Sequence, residues 1–391
     1  MNLFKVEIYK IIKSKKYLLA IIAMLVLIII QMFAIYNSAQ NERPEIKIKN
    51  NEKLLVDYRV KVREEGLSQD LKKDYEAKIK KLEEENKELQ EELVSPNYNW
   101  KEKLKKKNES LKKDKQNAEI ALNYNEVENV NSQIKVNEHL INNNIMPQKP
   151  YKISAFANMK NIIGFINIIF LPILVLIICY DQISGEIHYS TIKMLLTKPI
   201  TRGKILISKF LSSFIICCGT LILLEVLAFI ILGIFFNVGN PLYPMNIGTK
   251  YRIDILDKVS AVVNSSFIIP TYRYLLDLLI IQVIFIFTEV AFGVFISTMY
   301  SNNVLSLMTS TISIFVLNIV TFILPQSSLS KIYPYLFTTY ADGIGIIEGN
   351  LNLSLETTNL NPNLAVLILL IWSAIFLLIS YLYFNRKDIV A

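Results

Sequence analysis

Three carboxylates, Glu225, Asp277 and Glu289, stand inside long apolar runs of this chain. An acid at that depth is costly. It either bonds to polar groups on neighbouring helices or lines a path for substrate, ion or proton. Ser212, Ser213, Ser297, Ser306 and Ser313 share these runs, with no histidine beside them to activate a nucleophile. They read as residues that pack helices closely or hydrogen-bond between them. The only histidines, His139 and His188, are far apart, a poor spacing for zinc. Cys179, Cys217 and Cys218 fall within or at the ends of apolar runs, which gives no disulfide framework. No phosphate-cradling G-x-x-x-x-G-K-[ST], no H-E-x-x-H and no G-x-S-x-G is present. The chain reads as non-catalytic, with no cofactor or metal of its own, and any work it does draws energy from another chain.

A second kind of chemistry, docking rather than bond-making, is written into residues 181–209, DQISGEIHYSTIKMLLTKPITRGKILISK. Lys193, Lys198, Arg202, Lys204 and Lys209 oppose only Asp181 and Glu186, and a short basic loop between two spans belongs on the cytoplasmic side of a bilayer. Ser184 is placed to cap a helix, with Glu186 in its first turn against the positive end of the dipole. Ile187, Tyr189, Ile192, Leu195 and Leu196 give that helix an apolar stripe, Pro199 ends it, and Thr201 is placed to cap the next.

The elements that hold these residues are six membrane-length runs, each of about 20 residues or more: 17–35, 161–180, 210–236, 274–299, 304–324 and 363–384. The first is longer than a signal-peptide core and reads as an uncleaved anchor. Ahead of it, Phe4, Ile8, Ile11 and Ile12 share a helical face opposite lysines, as in an interfacial helix or a plain basic anchor. With both termini inside, the inner segments carry twelve basic and four acidic residues, which accounts for the whole net charge of +8. The excess is therefore topological, and nucleic-acid binding is a poor explanation of it. At about 1.5 Å rise per residue, Glu225 lies roughly 22 Å above the inner end of its span and Asp277 about 5 Å below the outer end of its own. Those two acids are expected to line the outer part of a path, with Glu289 some 18 Å deeper than Asp277.

Residues 37–158 form a polar insert with 24 basic and 22 acidic residues, highly charged yet almost neutral, so its export is not forbidden. Ile79, Leu82, Leu89 and Leu93 fit a 3.5-residue repeat with Asn86 at the missing position, and Leu104, Leu111, Ala118 and Leu122 resume it beyond a break at Ser95–Asn99. The simplest arrangement is one antiparallel, coiled-coil-like helical hairpin with its tip near Pro96, standing off the membrane; a solvated spacer is the alternative. Residues 237–273 and 325–362 read as outer loops, with 332–337 able to re-enter the outer leaflet. The expected organisation is 1–36, an interfacial helix and first span; 37–158, the extracytoplasmic insert; and 159–391, five further spans. The fold class is all-α, a multi-pass protein of the cell membrane.

Asp181, Ser184-Gly185-Glu186, Thr191-Ile192-Lys193, Leu195-Leu196-Thr197, Pro199-Ile200 and Arg202 together resemble the cytoplasmic signature of ABC type-2 exporter permeases. The members most similar in character are two-component bacterial permeases for bacitracin or lantibiotic self-protection and for sodium export. The resemblance covers the six spans in order, with this loop as its one specific motif; the long insert is atypical. It implies a coupling helix around residues 186–197 seated in a cleft of a separate ABC ATP-binding subunit, which holds ATP and Mg. It also implies a second permease chain, identical or not, and export of an amphiphilic peptide, antibiotic, lipid-like compound or ion. Ser190 stands where the family usually has glycine, and serine is expected to fit a helix at least as well. Other readings are a cell-surface or secretion-accessory protein and a peptide sensor with an exported coiled coil.

Overall fold

A computed structural model describes residues 3–63, 69–94, 99–197, 199–255, 257–322 and 331–387. Among the described residues six helices are long and apolar enough to cross a membrane, making the chain an all-α polytopic membrane protein. In order they are α2 (Lys15–Asn41), the segment Leu171–His188, α11 (Arg202–Phe235), α12 (Thr271–Met299), α13 (Asn303–Phe322) and α16 (Pro362–Arg386). A short amphipathic helix, α1 (Leu3–Lys13), precedes them. Ser14 caps α2, its hydroxyl accepting from the Tyr17 amide.

The second span is assembled from α7 (Ala155–Phe165), a π turn (Ile166–Phe170) and α8 (Leu171–Cys179). The irregular turn lies where it must. Pro172 lacks the amide hydrogen that would continue the α ladder, and its ring crowds the preceding turn. α12 lies at the centre, against α16, α8, α11 and α13. A Cβ on Gly293 would come within 2.7 Å of the Cys179 Cβ, so α12 and α8 approach to a distance only glycine permits. Thr288 donates to the Leu369 carbonyl at 3.0 Å, joining α12 to α16.

The insert departs from the single hairpin expected. It contains α3 (Pro44–Val62), α4 (Gln69–Val94), α5 (Trp100–Ile120) and α6 (Tyr124–Asn142), and α3 packs on α4 while α5 packs on α6. The two sequence seams therefore do not face each other; each meets a helix that the repeat did not mark. Ser95–Tyr98, with the expected tip at Pro96, lie outside the described residues. Glu92 and Trp100 line one groove with Pro44 and Tyr151. Each hairpin is centred on a buried amide pair, Asn51–Asn86 at 2.9 Å and Asn137–Asn108 at 2.7 Å. α2 runs on to Asn41, past the boundary expected after residue 36.

Residues 237–273 are not plain loop. β1 (Pro244–Ile247) pairs antiparallel with β4 (Phe267–Pro270), and β2 (Tyr251–Ile253) with β3 (Val259–Ala261). α6 lies along this ribbon: both Glu128 oxygens accept from the Asn264 and Ser266 amides and the Ser266 hydroxyl, at 2.5–3.1 Å. Residues 333–341 fold back against the spans as two 3₁₀ turns, burying Tyr333, Phe337 and Tyr340. Two short helices, α14 (Gly343–Glu348) and α15 (Leu351–Ser354), lead into α16.

Candidate functional site

After α8 the chain makes two short helices, α9 (Ser184–His188) and α10 (Ile192–Leu196), in place of the single helix expected over 186–197. The break has a residue-level cause. Ser190 holds φ +56°, a left-handed conformation that costs a residue with a Cβ about 1–2 kcal/mol and glycine almost nothing. The expectation that serine suits this position as a helix residue is thus corrected: the position is a turn. Ser184 does not cap α9 either. Its hydroxyl donates to the Tyr180 carbonyl at 2.8 Å, and Ile183 occupies the cap position. The amides of Ile183 and Ser184 donate instead to Ser297 Oγ on α12, at 2.9 and 3.0 Å. Ser306 of α13 donates to the same Tyr180 carbonyl at 2.7 Å. Thr201 stands at the N-cap of α11 with extended backbone, but its hydroxyl makes no capping bond.

The inner side of this elbow is closed by an ion-pair cluster. Lys209 of α11, 2% exposed, reaches Glu7 of α1 at 2.9 Å and Glu186 of α9 at 3.1 Å. Lys10 of α1 donates to Glu186 at 2.8 Å, and Thr191 also hydrogen-bonds to that carboxylate. Two acids and two ammonium groups thus balance within a partly enclosed space of about 350 Å³ that Asp181, Gly185 and Tyr189 also line. Lys16 pairs with Asp181 and donates to the Ile178 carbonyl at 2.8 Å. Gly185 packs closely here, since a Cβ would meet that of Asp181 at 3.1 Å. The Lys10 ammonium is held above its ordinary pKa: burial pushes it down, and the Glu186 hydrogen bond with the Glu7 and Glu186 charges outweighs that.

Arg202 turns away from the elbow. Its guanidinium donates to the carbonyls of Phe384 and Lys387 at 2.9 Å and of Asn385 at 3.2 Å, capping α16. Lys387 in turn donates to the Thr298 carbonyl of α12 at 3.0 Å. The structure thus brings Asp181, Ser184, Gly185, Glu186 and Thr191 to one elbow, with Ile192 buried beneath it and Leu195 packed on the core. Lys193 and Pro199 are exposed. Leu196 ends α10, and Lys198 lies outside the described residues.

The apolar stripe is divided. Ile187, Ile192 and Leu195 pack inward, while Tyr189 and Met194 point outward at 69% and 71% exposure. Sequence reading did not single out Met194. It also missed Glu7, Lys10 and Lys16 as partners. Their signal, acid and base at i and i+3 ahead of a span, is too common to stand out.

The intramembrane acids do not share a cavity. Glu225, 3% exposed, accepts from Gln282 Nε2 at 2.7 Å, and the same amide donates to Asn167 of the π turn at 2.8 Å. Glu289 is fully buried, and neither carboxylate oxygen has a hydrogen-bond partner among the described residues. Asp277 lines a separate cavity beside the ribbon and α14.

A family model described as "ABC-2 family transporter protein" matches residues 1–389. The chain is also similar to the uncharacterized protein YhcI of Bacillus subtilis (strain 168), 24% identical over 307 residues, covering 75% of this chain and 85% of that protein.

Proposed function

This chain belongs to the ABC-2 family of transporter proteins, and we propose that it is the permease subunit of an ATP-driven exporter, with the α9–α10 elbow as its docking surface for a separate ATP-binding subunit. The exposed pair Tyr189 and Met194 carries this reading. Two large apolar side chains on a charged face, on a loop fixed from behind to α1, α11, α12 and α13, are what a partner surface needs. The placement of the inner segments' positive charge supports a cytoplasmic elbow and cytoplasmic termini, with the insert and the β ribbon on the outside.

In this reading the partner subunit binds and hydrolyses ATP with Mg, and a second permease chain completes the transporter. Closure of the ATPase pushes on the elbow. Glu186 passes the displacement to Lys209 and α11, Ser184 to α12, and Arg202 couples the start of α11 to the end of α16. Glu186 and Arg202 act as positioning residues, while Tyr189, Met194, Lys193 and Thr191 meet the partner. The cargo is an amphiphilic peptide, antibiotic, lipid-like compound or ion moved outward along the spans.

Co-expression with a candidate ABC ATP-binding subunit from the same genome tests this. Affinity purification of the permease is expected to retain that subunit, and Tyr189→Asp with Met194→Asp to lose it without lowering the permease's own thermal stability. Equal retention by the double variant would refute docking at the elbow.

A further inference from the structure

Beyond the elbow, the opposite end of the bundle holds a cavity of about 740 Å³ between the β ribbon, the first turns of α12, α14 and the start of α16. Its walls are mostly apolar, from Ile247, Phe267, Ile280, Ile281, Ile346 and Val366. Its size falls in the range of sites for small organic ligands, about 300–1,000 Å³. Two groups in its lining carry charge at neutral pH. Asp277 is half-buried in the wall, and Lys250 is exposed at the edge. Asp277 has neither an ion pair nor a hydrogen bond among the described residues, although the neighbouring acid on α14, Glu348, is paired with Lys160 at 3.1 Å and with Tyr274 at 3.0 Å.

The Asp277 carboxylate is half-buried and open to the cavity, so it is available to a cation that arrives with apolar surface to cover the walls. The geometry points to a binding site for an amphiphile with an ammonium head: the head pairs with Asp277, and the tail lies along Ile280, Ile281 and Ile346. Exposed Leu276 and Ile280 on the same turns of α12 give such a molecule an apolar approach from the bilayer. An anionic amphiphile would meet the Asp277 charge and is rejected. A membrane lipid with an amine head and a free alkylammonium compound share this chemistry. That the site is where cargo is held rests on the exporter reading; the binding itself does not.

The test uses the full chain in nanodiscs, without any ATP-binding subunit, so its outcome is independent of whether the exporter reading holds. Tritiated dodecylammonium is titrated in, with empty nanodiscs subtracting partition into lipid. Saturable binding at one site per chain is expected, weakened at least tenfold by Asp277→Asn and preserved by Asp277→Glu. Lys250→Ala, which removes a competing cation, is expected to leave binding equal or tighter. Dodecyl sulfate is expected not to compete, and discs of zwitterionic amine lipid to compete where discs of choline lipid with matched chains do so less. Ile281→Trp, filling the cavity, is expected to abolish binding while Asp277 remains. Equal competition by the two lipids assigns the site to free amphiphiles and retains the ammonium chemistry. Non-saturable uptake, or affinity unchanged in Asp277→Asn with thermal unfolding unaltered, would overturn the proposal. So would loss in Lys250→Ala as large as in Asp277→Asn.

Discussion

Ser190 is the residue at which the sequence misleads most. The order Ser-Gly-Glu, Thr-Ile-Lys and Pro-Ile-Thr-Arg made the family of the loop legible, but not its bend, because a left-handed φ of +56° leaves no mark in a serine's chemistry. Ser190→Gly is expected to stabilise the permease by about 1 kcal/mol through relief of that strain, read as a rise in thermal unfolding midpoint in nanodiscs. Ser190→Ala, which keeps the Cβ, is expected to show no gain; a gain equal to glycine's would mean the backbone is not strained there. Lys209 is the second decisive residue. With Glu7 and Glu186 at 2.9 and 3.1 Å from its ammonium, Lys209→Met leaves two carboxylates to share Lys10. Breaking one side of a buried pair costs about 3–5 kcal/mol, whereas replacing the whole pair with apolar groups is often neutral. Thermal unfolding should therefore fall sharply in Lys209→Met and recover in part when Glu7→Leu is added.

At the scale of elements, the heptad spacing marked only part of the covered faces of α4 and α5: Asn86, Leu104, Leu111 and Ala118 are buried, while Leu93 and Leu122 are 48% and 70% exposed. It could not name the covering helix. A 3.5-residue repeat defines a stripe, not a partner, and α3 and α6 answer it with asparagine among shorter apolar runs. The buried amides fix the register of each hairpin as a polar residue does in a coiled-coil seam. Asn86→Leu alone is expected to cost about 1–3 kcal/mol by stranding the Asn51 amide, while Asn51→Leu with Asn86→Leu recovers stability and loses register. Unfolding curves report the first, and disulfide trapping at positions flanking residues 51 and 86 reports the second. The foot of α4 adds a pH dependence. Burial raises the Glu92 carboxyl's pKa, but the Lys149 hydrogen bond and charge outweigh it and hold it below its ordinary 4.5. A depressed acid stabilises the fold above its unfolded pKa and loses that contribution as pH falls through the folded value. The thermal midpoint should thus drop below pH 4.5 more in the native chain than in Glu92→Gln; equal slopes would remove Glu92 from that role.

Across the whole molecule, the six spans were legible because twenty apolar residues in a row have few other uses. What was not legible is how the spans tie to one another. The bonds of Ser297, Ser306, Arg202 and Lys387 join residues far apart in sequence, and no local pattern encodes them. The same holds for the insert. Its first hairpin continues from α2 after a break of two residues, Glu42 and Arg43, while its second is held to the β ribbon through Glu128. Glu128→Ala removes one acceptor from three donors and is expected to free the ribbon, so that limited proteolysis cuts near residues 264–266 in the variant and not in the native chain. Of these ties, those of Ser297 and Ser306 meet at the elbow, whose Tyr189 and Met194 stay exposed.

The elbow's outward face is tested most directly by site-specific crosslinking. With Met194→Cys carrying a benzophenone photocrosslinker, and the native cysteines buried, illumination of membranes containing a co-expressed candidate ABC ATP-binding subunit should give an adduct of the two chains. The same label at Leu122→Cys, on the insert, should give none. An adduct from position 122 and none from position 194 would contradict docking at the elbow and the orientation assigned to the chain.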